Sequence, residues 1–588
     1  MTSVKAYQKA VDFLRRMHWH LQFTPDVNRH SVIAYQVALQ ALEQHQSLEG
    51  IEAVKGIGAT MQEHFRVIAS GKTPKRLREI EGNGPPFTVS ELTRIPGVGI
   101  KTAEKLYTEY KITSLADLDA KIKAHKIVDP KLVAAYLDHG AVNERIPRTV
   151  IEHNIAPVLA AIRKVIGSAQ LEMVGSFRRY RADIRDVDVL IGTDDIGVMK
   201  SVVETAKTFA DQVRLMDREG TKKAEVQILI AGKQRKLDLY FVNPRSWGSA
   251  LMHFTGPARY NVAIRELAKK RGLKVNQYGV TDLATKKIKR FETEPRMCKY
   301  LGIPYLDPEL RDLGADLNRV KSNELESLLT MKSVKGDFHV HTTESDGKAG
   351  VEALVRHLLT SRYKFLGISN HSQGTGGGMN AETATKHHAW IRSFIRKTKY
   401  KKAGVDKRAR VLCGAEVDVN VEGELDYDAK TLKTLDYVII AIHHKQDFKP
   451  TERLLQAIET VHELGVPAII AHPTNRIIGY RPESMVTWNP VFVKCADYGI
   501  ALEVNGQSDR LDLPEQLIER ARGFGCWFVV SSDFHGENPK DRVKLLEQAV
   551  MQARRGWLTK DVVVNASNKL LAKWLGAKSY WTMLGKEN

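Results

Sequence analysis

Cysteine is scarce in this chain of 588 residues. The four cysteines are far apart and form no Cys-x-x-Cys pair; they are Cys298, Cys413, Cys495 and Cys526. This spacing excludes a disulfide framework and a cysteine-ligated zinc site. We therefore expect a protein of a reducing compartment, the cytoplasm.

Long apolar stretches are absent as well. No run approaches the roughly 18 apolar residues that a membrane-spanning helix needs. The N-terminal segment MTSVKAYQKAVDFLRRMHWH lacks the continuous apolar core of a secretory signal. We expect a chain that is neither exported nor bound to a membrane.

Acidic residues are outnumbered by basic ones. Lys and Arg number 89 against 69 Asp and Glu, which gives a formal charge of +20 and a pI of about 9.5. Such a surface attracts polyanions, so nucleic acid is the first partner to test. The hydrophobic share of 43% is typical of globular proteins, and the length favours about three to five domains.

The sequence pattern changes along the chain. Residues 1–145 have apolar residues at helical spacing with glycine turns, and residues 146–315 mix helical segments with strand-like runs such as Val187–Ile191. Residues 316–335 are polar and are predicted to form a linker. In residues 336–575 short apolar strands alternate with helices, which is typical of an α/β barrel.

Two Gly-x-Gly turns precede helices in the first region. The residues of interest are Gly56, Gly58, Gly97, Gly99, Lys101 and Lys105. Free backbone N–H groups at a helix N-terminus attract phosphate, although a single such turn is more simply a connection between helices. The second copy, Ile-Pro-Gly-Val-Gly followed by Lys-Thr-Ala-Glu-Lys-Leu, resembles the helix-hairpin-helix motif of DNA repair proteins. We interpret the turns as sites for non-specific binding of DNA phosphates.

Three aspartates of the second region have the pattern of a metal site. Asp186 and Asp188 are two residues apart in a predicted strand, so their side chains point to one face. Asp238 interrupts another apolar strand with a charge that is costly to bury unpaired. Carboxylate oxygens suit Mg²⁺ or Mn²⁺, and two such ions assist nucleotidyl transfer. A lone Asp-x-Asp usually indicates a strand with its aspartates exposed to solvent. The flanking Gly175-Ser176 and Arg178-Arg179 favour a metal site instead.

This region resembles the family X DNA polymerases. The resemblance continues in Gly-Ser-Ala-Leu-Met-His-Phe-Thr-Gly-Pro at residues 248–257. It implies a palm-like α+β domain in which the three aspartates hold two catalytic metal ions, with dNTPs as substrates. The implied nucleotide contacts are Gly175, Ser176 and Arg179 for the triphosphate, Phe254 and Gly256 for the sugar, and Asn261 and Arg265 for the nascent base pair.

The sequence departs from that family at several positions. His253 stands where Tyr is common and Pro257 where Ser is usual, which bears on sugar selection. Arg185 replaces a small residue before Asp186. His64 occupies the position of the lysine that forms a Schiff base with an abasic sugar in eukaryotic members, so no lyase by that route is predicted.

Nine metal-ligand candidates occur in the last region, most of them at the end of an apolar strand. They are His339, His341, Asp346, His371, Glu416, His443, His472, Asp533 and His535. A single histidine in such a place is more often a structural hydrogen-bonding group. Residues at the strand ends of an α/β barrel converge on one face, however, so the nine are predicted to form one site.

The set resembles the PHP family (polymerase and histidinol phosphatase) over residues 335 to about 575. The resemblance implies a distorted (β/α)7 barrel with up to three ions, two of them bridged by Glu416. Imidazole and carboxylate ligands suit Mn²⁺, our first expectation, as well as Zn²⁺ or Fe. Asn370 replaces an Asp that commonly precedes the ligand at His371. Four further histidines are predicted to lie on helix surfaces or in loops: His387, His388, His444 and His462.

Both resemblances together predict a multidomain α and α/β enzyme with a helical N-terminal domain. We expect a template-directed polymerase for gap filling in base-excision-type repair, whose barrel hydrolyses phosphodiesters as a 3′-5′ exonuclease, an AP endonuclease or both. Two alternatives stay open: a small-molecule PHP phosphatase fused to a DNA-binding module, and a non-catalytic repair scaffold. The expected partners are gapped or nicked DNA with 3′ ends and dNTPs, and the expected state is a cytoplasmic, nucleoid-associated monomer.

Overall fold

A computed structural model describes most of the chain. The described residues are 3–45, 48, 50–51, 54, 57–94, 98–123, 145–218, 221–313, 317, 320, 322–397, 410–444 and 448–576. The chain divides into two compact units, Met1–Asn143 and Glu144–Asn588. No helix within the described ranges has the length and apolar character needed to cross a membrane.

The first unit is built from short helices. Its described α-helices are Ser3–Leu21, Arg29–His45, Ala59–Ala69, Lys75–Ile80, Ile100–Tyr110 and Leu115–Lys123, and a 3-10 helix covers Phe87–Arg94. Phe13, Leu14 and Met17 lie three and four residues apart on the first helix and are buried in one apolar core. A second core forms around Leu92 and Leu106. The predicted helical N-terminal domain is confirmed.

A five-stranded mixed sheet begins the second unit, with strand order β2-β4-β7-β6-β5. The strands up to this point are β1 (Ile146–Pro147), β2 (Gln170–Met173), β3 (Asp183–Ile184), β4 (Val187–Gly192), β5 (Ala210–Arg218), β6 (Thr221–Ile230) and β7 (Lys233–Val242). The helices Arg148–Ile166 and Ile196–Lys207 bury their apolar faces in the core of this sheet. Because β4 and β7 are parallel neighbours, Asp188 stands opposite Asp238. The α+β prediction is confirmed.

A smaller subdomain follows the sheet. It contains the 3-10 helices Pro244–Ser246 and Pro308–Leu310, the helices Trp247–Thr255, Ala258–Lys269 and Glu294–Leu301, and the antiparallel strands β8 (Leu273–Asn276), β9 (Gly279–Asp282) and β10 (Ile288–Lys289). A Cβ on Gly248 would lie 2.2 Å from the carbonyl carbon of Thr293. Glycine at this position therefore allows the helix Trp247–Thr255 to pack closely against Thr293, the residue that precedes the helix Glu294–Leu301.

Seven parallel strands in sequential order form the rest of the second unit. They are β11 (Gly336–Asp337), β12 (Phe365–Ile368), β13 (Arg410–Asp418), β14 (Tyr437–Ala441), β15 (Ala468–Ile470), β16 (Ala501–Asn505) and β17 (Trp527–Ser531). Beyond β11 and β17, Val340 pairs in parallel with Phe534, and the His341 N–H donates to the Phe534 carbonyl at 2.9 Å. These contacts bring the first and last strands together, and the predicted distorted seven-stranded barrel is confirmed.

Helices connect and surround the barrel strands. They are Val351–Thr360, Ala381–Lys397, Ala429–Leu432, Pro450–Leu464, Trp488–Tyr498, Glu515–Gly523, Asp541–Arg555 and Asn568–Leu575, with a 3-10 helix at Val564–Ala566. Because helices cover the sheet, most residues of its strands are apolar and buried; Tyr437–Ala441 is buried at every residue.

The segment predicted to be a linker contains regular structure where it is described. It includes the helix Ser322–Ser327, and Leu328, Leu329 and Val334 are buried. The Leu329 N–H donates to the Leu558 carbonyl at 2.9 Å. The domain limits assigned from the sequence stay predictions.

A buried ion pair stabilises one end of the barrel. Glu515 begins the helix Glu515–Gly523 and contacts Arg555, and each side chain is almost fully buried. Burial by itself raises the pKa of the Glu515 carboxyl, but Arg555 and then Arg181 lower it, so the pKa is about 2. The folded protein thus favours the charged carboxylate.

We expect Glu515→Gln to reduce the free energy of unfolding by about 3–5 kcal/mol at pH 7, because Arg555 loses a buried partner. A depressed folded pKa stabilises the protein above the unfolded pKa. The contribution of Glu515 is therefore lost as the pH falls from 4.5 towards about 2. Urea unfolding followed by tryptophan fluorescence across this range measures the difference between the two proteins.

The control for this prediction is Glu519→Gln, which changes an exposed residue of the same helix. We expect it to alter the unfolding free energy by less than about 0.5 kcal/mol. An equal loss in both variants at pH 7 would contradict the assigned role of Glu515.

Candidate active sites

Three aspartates crowd together at the edge of β4 and β7. Asp188 lies opposite Asp238, and Asp186 directly precedes β4. The Tyr240 hydroxyl is 3.2 Å from Asp238 Oδ2 and 3.5 Å from Asp188 Oδ1. Burial, and then the charges of Asp238 and Asp186, raise the pKa of Asp188 to about 6. The buried Asp238 Oδ1 accepts no hydrogen bond from the described residues, so the carboxylates fit divalent cations, which would relieve their repulsion.

Cationic side chains surround these carboxylates. Arg185 Nη2 lies 2.8 Å from Asp186 Oδ2, so this departure from the family pattern neutralises one aspartate. Lys223 Nζ and Lys236 Nζ lie 2.8 and 3.2 Å from Asp238 Oδ2. Neither lysine was predicted from the sequence. A signal existed for Lys236, which is two residues from Asp238 on β7 and therefore shares its face.

Gly175 brings the preceding turn close to the aspartates. Its φ is +60°, and a Cβ there would lie 2.4 Å from Asp188 Oδ2. A side chain would both strain the backbone and collide with the carboxylate. Ser176 follows in the short helix Gly175–Arg178 and is half-buried. The structure therefore places two of the three predicted triphosphate contacts, Gly175 and Ser176, in a turn beside Asp188.

Other predicted nucleotide contacts form a cluster next to Tyr240. Phe254 stacks on the Tyr240 ring with centroids 4.2 Å apart. Asn261 Nδ2 donates to the His253 carbonyl at 2.7 Å, and Arg265 Nη2 lies 3.4 Å from His253 Nδ1. Burial and then Arg265 lower the pKa of His253 to about 4, so this imidazole is neutral at pH 7. The unusual histidine thus acts as a neutral link between the cluster residues.

Gly256 and Arg179 also belong to this group of residues, which we call the nucleotide cluster. Gly256 has a φ of +62°, and a Cβ there would lie 3.7 Å from Arg179 Nη1. Arg179 Nε donates to Asp312 Oδ1 at 3.1 Å, and its Nη1 donates to the Thr255 carbonyl at 2.5 Å. The predicted phosphate-binding cation is thus engaged by other residues. A phosphate contact would use its remaining N–H groups or replace one of these partners.

Pro257 begins the helix that carries the predicted base-pair contacts. It is the N-cap of Ala258–Lys269. The first turn of a helix has unpaired N–H groups, so proline removes no helical hydrogen bond there. This departure is therefore compatible with the local fold.

Eight of the nine predicted metal ligands form three overlapping groups. The groups are His341, Asp346, His371 and His535; His339, His341 and Asp533; and His371, Glu416 and His443, with the ligand atoms of each group within 4.8 Å of one another. The ninth candidate, His472, has its Nε2 2.9 Å from Glu416 Oε1. The structure therefore brings all nine to one end of the barrel, as expected for strand-end residues.

Glu416 lies at the centre of this cluster. Its carboxylate oxygens are within 3.4 Å of nitrogens from five histidines: His339, His341, His371, His443 and His472. Burial by itself raises the pKa of Glu416, but the imidazoles of His339, His371 and His443 hold it well below its ordinary value.

Several buried ligand atoms of the cluster make no hydrogen bond to the described part of the chain. They are His339 Nε2, both ring nitrogens of His341, His371 Nδ1 and Glu416 Oε2. Buried polar atoms normally have a partner. Orphaned imidazole and carboxylate atoms that face one another are therefore a good fit for several metal ions.

Two carboxylates, Glu503 and Asp418, bind the Nδ1 atoms of ligand imidazoles and so orient the rings. Glu503 Oε1 lies 2.7 Å from His339 Nδ1, and Glu503 Oε2 accepts the His472 backbone N–H at 2.6 Å. Asp418 Oδ1 lies 2.9 Å from His443 Nδ1. Such carboxylates fix the ring tautomer and raise ligand basicity. Neither Glu503 nor Asp418 was predicted from the sequence. Each is a charged residue within an apolar strand, which is the pattern that identified Asp238.

Asn370 supports the loop that carries ligands instead of contacting them. Its Oδ1 accepts the Thr342 N–H at 2.8 Å and the Ser345 hydroxyl at 3.0 Å. These residues are the chain neighbours of His341 and Asp346. The amide therefore shapes the segment between two ligand candidates.

The prediction that His387 and His388 lie on a helix surface is wrong. Both belong to the helix Ala381–Lys397, but they are 8% and 4% exposed. One face of this helix packs towards β13, and the helical period turns both side chains inward. His444 and His462 are exposed, as predicted.

The glycine turns present helix N-termini. Gly58 is the N-cap of Ala59–Ala69, and Gly99 is the N-cap of Ile100–Tyr110. A Cβ on either glycine would meet no atom within 4 Å. There is thus open space beside both helix starts, where phosphate is favoured.

Lys101 and Lys105 are exposed one turn apart on the second of these helices. Lys105 Nζ lies 3.7 Å from Glu109, a weak surface pair. Gly56 and Gly97 lie outside the described residues.

His64 is held by neighbouring rings in the first unit. Its Nε2 lies 3.1 Å from the Tyr35 hydroxyl, and its ring is 5.0 Å from that of Phe13. Burial lowers the pKa of His64. An imidazole offers no primary amine for a Schiff base, so the absence of a lyase by that route stays a prediction.

Comparisons with known proteins match family models to parts of the second unit and one relative to most of the chain. The family models DNA polymerase beta palm and DNA polymerase beta thumb match residues 145–238 and 250–312. The DNA polymerase/3′-5′ exonuclease PolX of Bacillus subtilis (strain 168) is 28% identical over 559 residues, which cover 92% of this chain and 94% of the relative.

Viral and animal relatives match shorter stretches. A Repair DNA polymerase X of African swine fever virus is 30% identical over 172 residues, 29% of this chain and 94% of the viral protein. The DNA polymerase lambda of Rattus norvegicus is 25% identical over 309 residues, 48% of this chain and 52% of the relative. Given these matches and the aspartates paired across β4 and β7, the chain belongs to the family X DNA polymerases.

Proposed function

We propose that this protein is a template-directed DNA polymerase for gap filling in base-excision-type repair, and that its barrel is a metal-dependent 3′-5′ exonuclease. The observation that carries the proposal is the presence of two separate groups of buried ligands in one unit. Asp188 and Asp238 lie beside the nucleotide cluster, and Glu416 centres the barrel cluster. The name of the Bacillus relative combines the same two activities.

At the polymerase site, we infer that Asp186, Asp188 and Asp238 hold two Mg²⁺ or Mn²⁺ ions. Such ions neutralise charge on the attacking 3′-oxygen and on the leaving pyrophosphate. The Tyr240 hydroxyl lies within hydrogen-bond distance of two of these carboxylates, donates to one of them and restricts their orientation. Lys236 adds positive charge on the same face, which favours a polyphosphate substrate.

The nucleotide cluster would position the dNTP. Gly175 and Ser176 offer close backbone approach for the triphosphate beside Asp188, and Arg179 adds a cation. Phe254 and Gly256 face the sugar in this proposal, and Asn261 and Arg265 face the nascent base pair. The last two residues both contact His253, so they would act as one surface.

At the barrel site, the nine clustered residues would hold up to three ions, with Mn²⁺ as the first candidate and Zn²⁺ or Fe as others. Such ions generate a nucleophile from water at neutral pH and neutralise phosphate charge. Glu416, which lies within 3.4 Å of nitrogens from five of the clustered histidines, would contribute its carboxylate to more than one ion. Phosphodiesters at 3′ ends are the proposed substrate; cleavage at abasic sites is the second activity expected of this site.

DNA binding in the first unit would come from the two helix N-termini and the neighbouring lysines. Gly58 and Gly99 leave open space at helix starts, and Lys101 and Lys105 are exposed. These groups contact phosphates and not base edges. Gapped or nicked duplexes are thus proposed to bind without sequence preference, to a monomer.

Separate variants distinguish the two active sites. We expect Asp188→Ala to abolish primer extension on a gapped, labelled duplex and His341→Ala to abolish 3′ degradation, each leaving the other activity intact. Loss of metal-assisted stabilisation worth several kcal/mol corresponds to a rate loss of about 1,000-fold. Gel assays in Mn²⁺, with and without dNTPs, measure both activities. Retention of both activities in both variants would show that the two sites are assigned wrongly.

Metal affinity of the barrel site depends on its outer carboxylates. We expect Glu503→Gln to weaken Mn²⁺ binding by about 10–100-fold, because the His339 ring loses its anionic partner. Titration of exonuclease rate against Mn²⁺ concentration measures the shift, and primer extension stays unchanged. The exposed Glu463→Gln is the matched control; an equal shift in both variants would refute the role of Glu503.

Salt dependence tests the lysines of the hairpin. We expect Lys101→Ala and Lys105→Ala each to weaken DNA binding equally across sequences and to reduce the slope of log K against log salt by about 1. Fluorescence anisotropy with duplexes of two unrelated sequences measures this change. Glu104→Gln, a nearby charge change without a lost cation, is the control. An unchanged slope in both lysine variants would contradict DNA contact by this helix.

A further inference from the structure

Arg555 ends the barrel helix Asp541–Arg555 and reaches residues of the polymerase part of the unit. Its side chain is 1% exposed. Nη1 donates to the Arg179 carbonyl at 2.6 Å and to Asp312 Oδ2 at 2.9 Å, and Nη2 donates to Glu515. One buried guanidinium therefore joins the barrel to the predicted phosphate-binding turn through charge-assisted hydrogen bonds.

Asp312 has a cation on each of its two oxygens. Oδ1 accepts from Arg179 Nε at 3.1 Å, and Oδ2 accepts from Arg555 at 2.9 Å. The Asp312 side chain is nearly buried, so an unpaired charge there would be costly. When Arg179 leaves Asp312, Arg555 remains as its partner.

The turn that carries Arg179 is held from both sides. At its start, Gly175 packs against Asp188 Oδ2. In its middle, Arg178 donates to Thr255 Oγ1 at 2.7 Å and to Glu294 at 2.7 Å, both within the polymerase part. At its end, the Arg179 carbonyl is bound by the barrel. The position of Arg179 therefore depends on a residue of the nuclease domain.

We propose that Arg555 is a positioning residue for nucleotide binding at the polymerase site. It fixes the Arg179 backbone and keeps Asp312 paired, so that the Arg179 guanidinium can turn from Asp312 to the triphosphate of an incoming dNTP. The inference rests on the proposed polymerase function and extends it, because the barrel becomes part of the nucleotide site as well as the nuclease.

The charges explain why removal of Arg555 hinders this exchange. Arg179 and Arg555 both pair with Asp312. Without Arg555, movement of Arg179 away from Asp312 would leave this buried carboxylate without either of these two cations. Arg179 is then retained by Asp312, and the dNTP loses a phosphate contact. The loss concerns dNTP binding and not the aspartates that hold the metals.

Steady-state extension of a gapped primer measures KM for dNTP and kcat separately. We expect Arg555→Gln to raise KM by about tenfold with kcat within about twofold, because a binding contact is lost. Arg555→Lys keeps the charge but has no planar fork, so it restores KM in part. Exonuclease rate in the same preparations stays at the wild-type level and reports an intact barrel.

Arg554→Gln is the matched control. Arg554 precedes Arg555 and also pairs across to the subdomain, with Asp307 and Glu309 at 2.7 Å each. Its hydrogen bonds go to these two carboxylates and to the Leu329 carbonyl, and not to the Arg179 turn. We expect its KM for dNTP to equal that of the wild type, so an equal rise in both variants would overturn the inference and show a general effect of the interface.

A double-mutant cycle tests the route through Arg179. If Arg555 acts through Arg179, Arg555→Gln adds nothing to the KM of Arg179→Ala. A further tenfold rise in that background would overturn the inference. Absence of primer extension by the wild-type protein would instead overturn the proposed polymerase function itself, so the two failures are distinguishable.

Discussion

Buried ligand atoms that face one another, several of them without a hydrogen bond to the described residues, are the constraint on which both sites depend. Asp188 and Asp238 stand side by side on parallel strands, and burial together with their mutual repulsion raises the pKa of Asp188 to about 6. Around Glu416, imidazole nitrogens converge whose lone pairs have no donor within the described residues. Cations complete such arrangements at little cost, since the fold has already paid to assemble the ligands. The rest of the unit keeps these groups close together.

A network of buried ion pairs connects the barrel to the turn that carries Arg179. Arg555 joins the barrel to Asp312 and to the Arg179 carbonyl, and it also pairs with Glu515 within the barrel. Each of these charges is buried and each has a partner, so no member can move without affecting the others. The polymerase and nuclease parts are therefore joined by specific contacts near the nucleotide cluster, and not only by the chain.

Short-range patterns were sufficient for much of the prediction. The spacing of Asp186 and Asp188, and the strand-end positions of the barrel histidines, follow from periods of two and from the rule that barrel strands end on one face. Local patterns failed for His387 and His388, because helical spacing alone does not show which face of a helix is buried. They also missed Lys223, whose contact with Asp238 depends on the pairing of β6 with β7.

The sequence by itself determined the chemical types of both sites: carboxylates at strand spacing, histidines after apolar strands, and glycines where the backbone approaches a side chain closely. Only the tertiary structure decided which distant residues meet, such as Glu503 with His339, Arg179 with Asp312, and Asp312 with Arg555. The physical reason is that element type depends on neighbours along the chain, whereas the partner of a buried charge depends on strand order and helix packing, which bring together segments far apart in sequence.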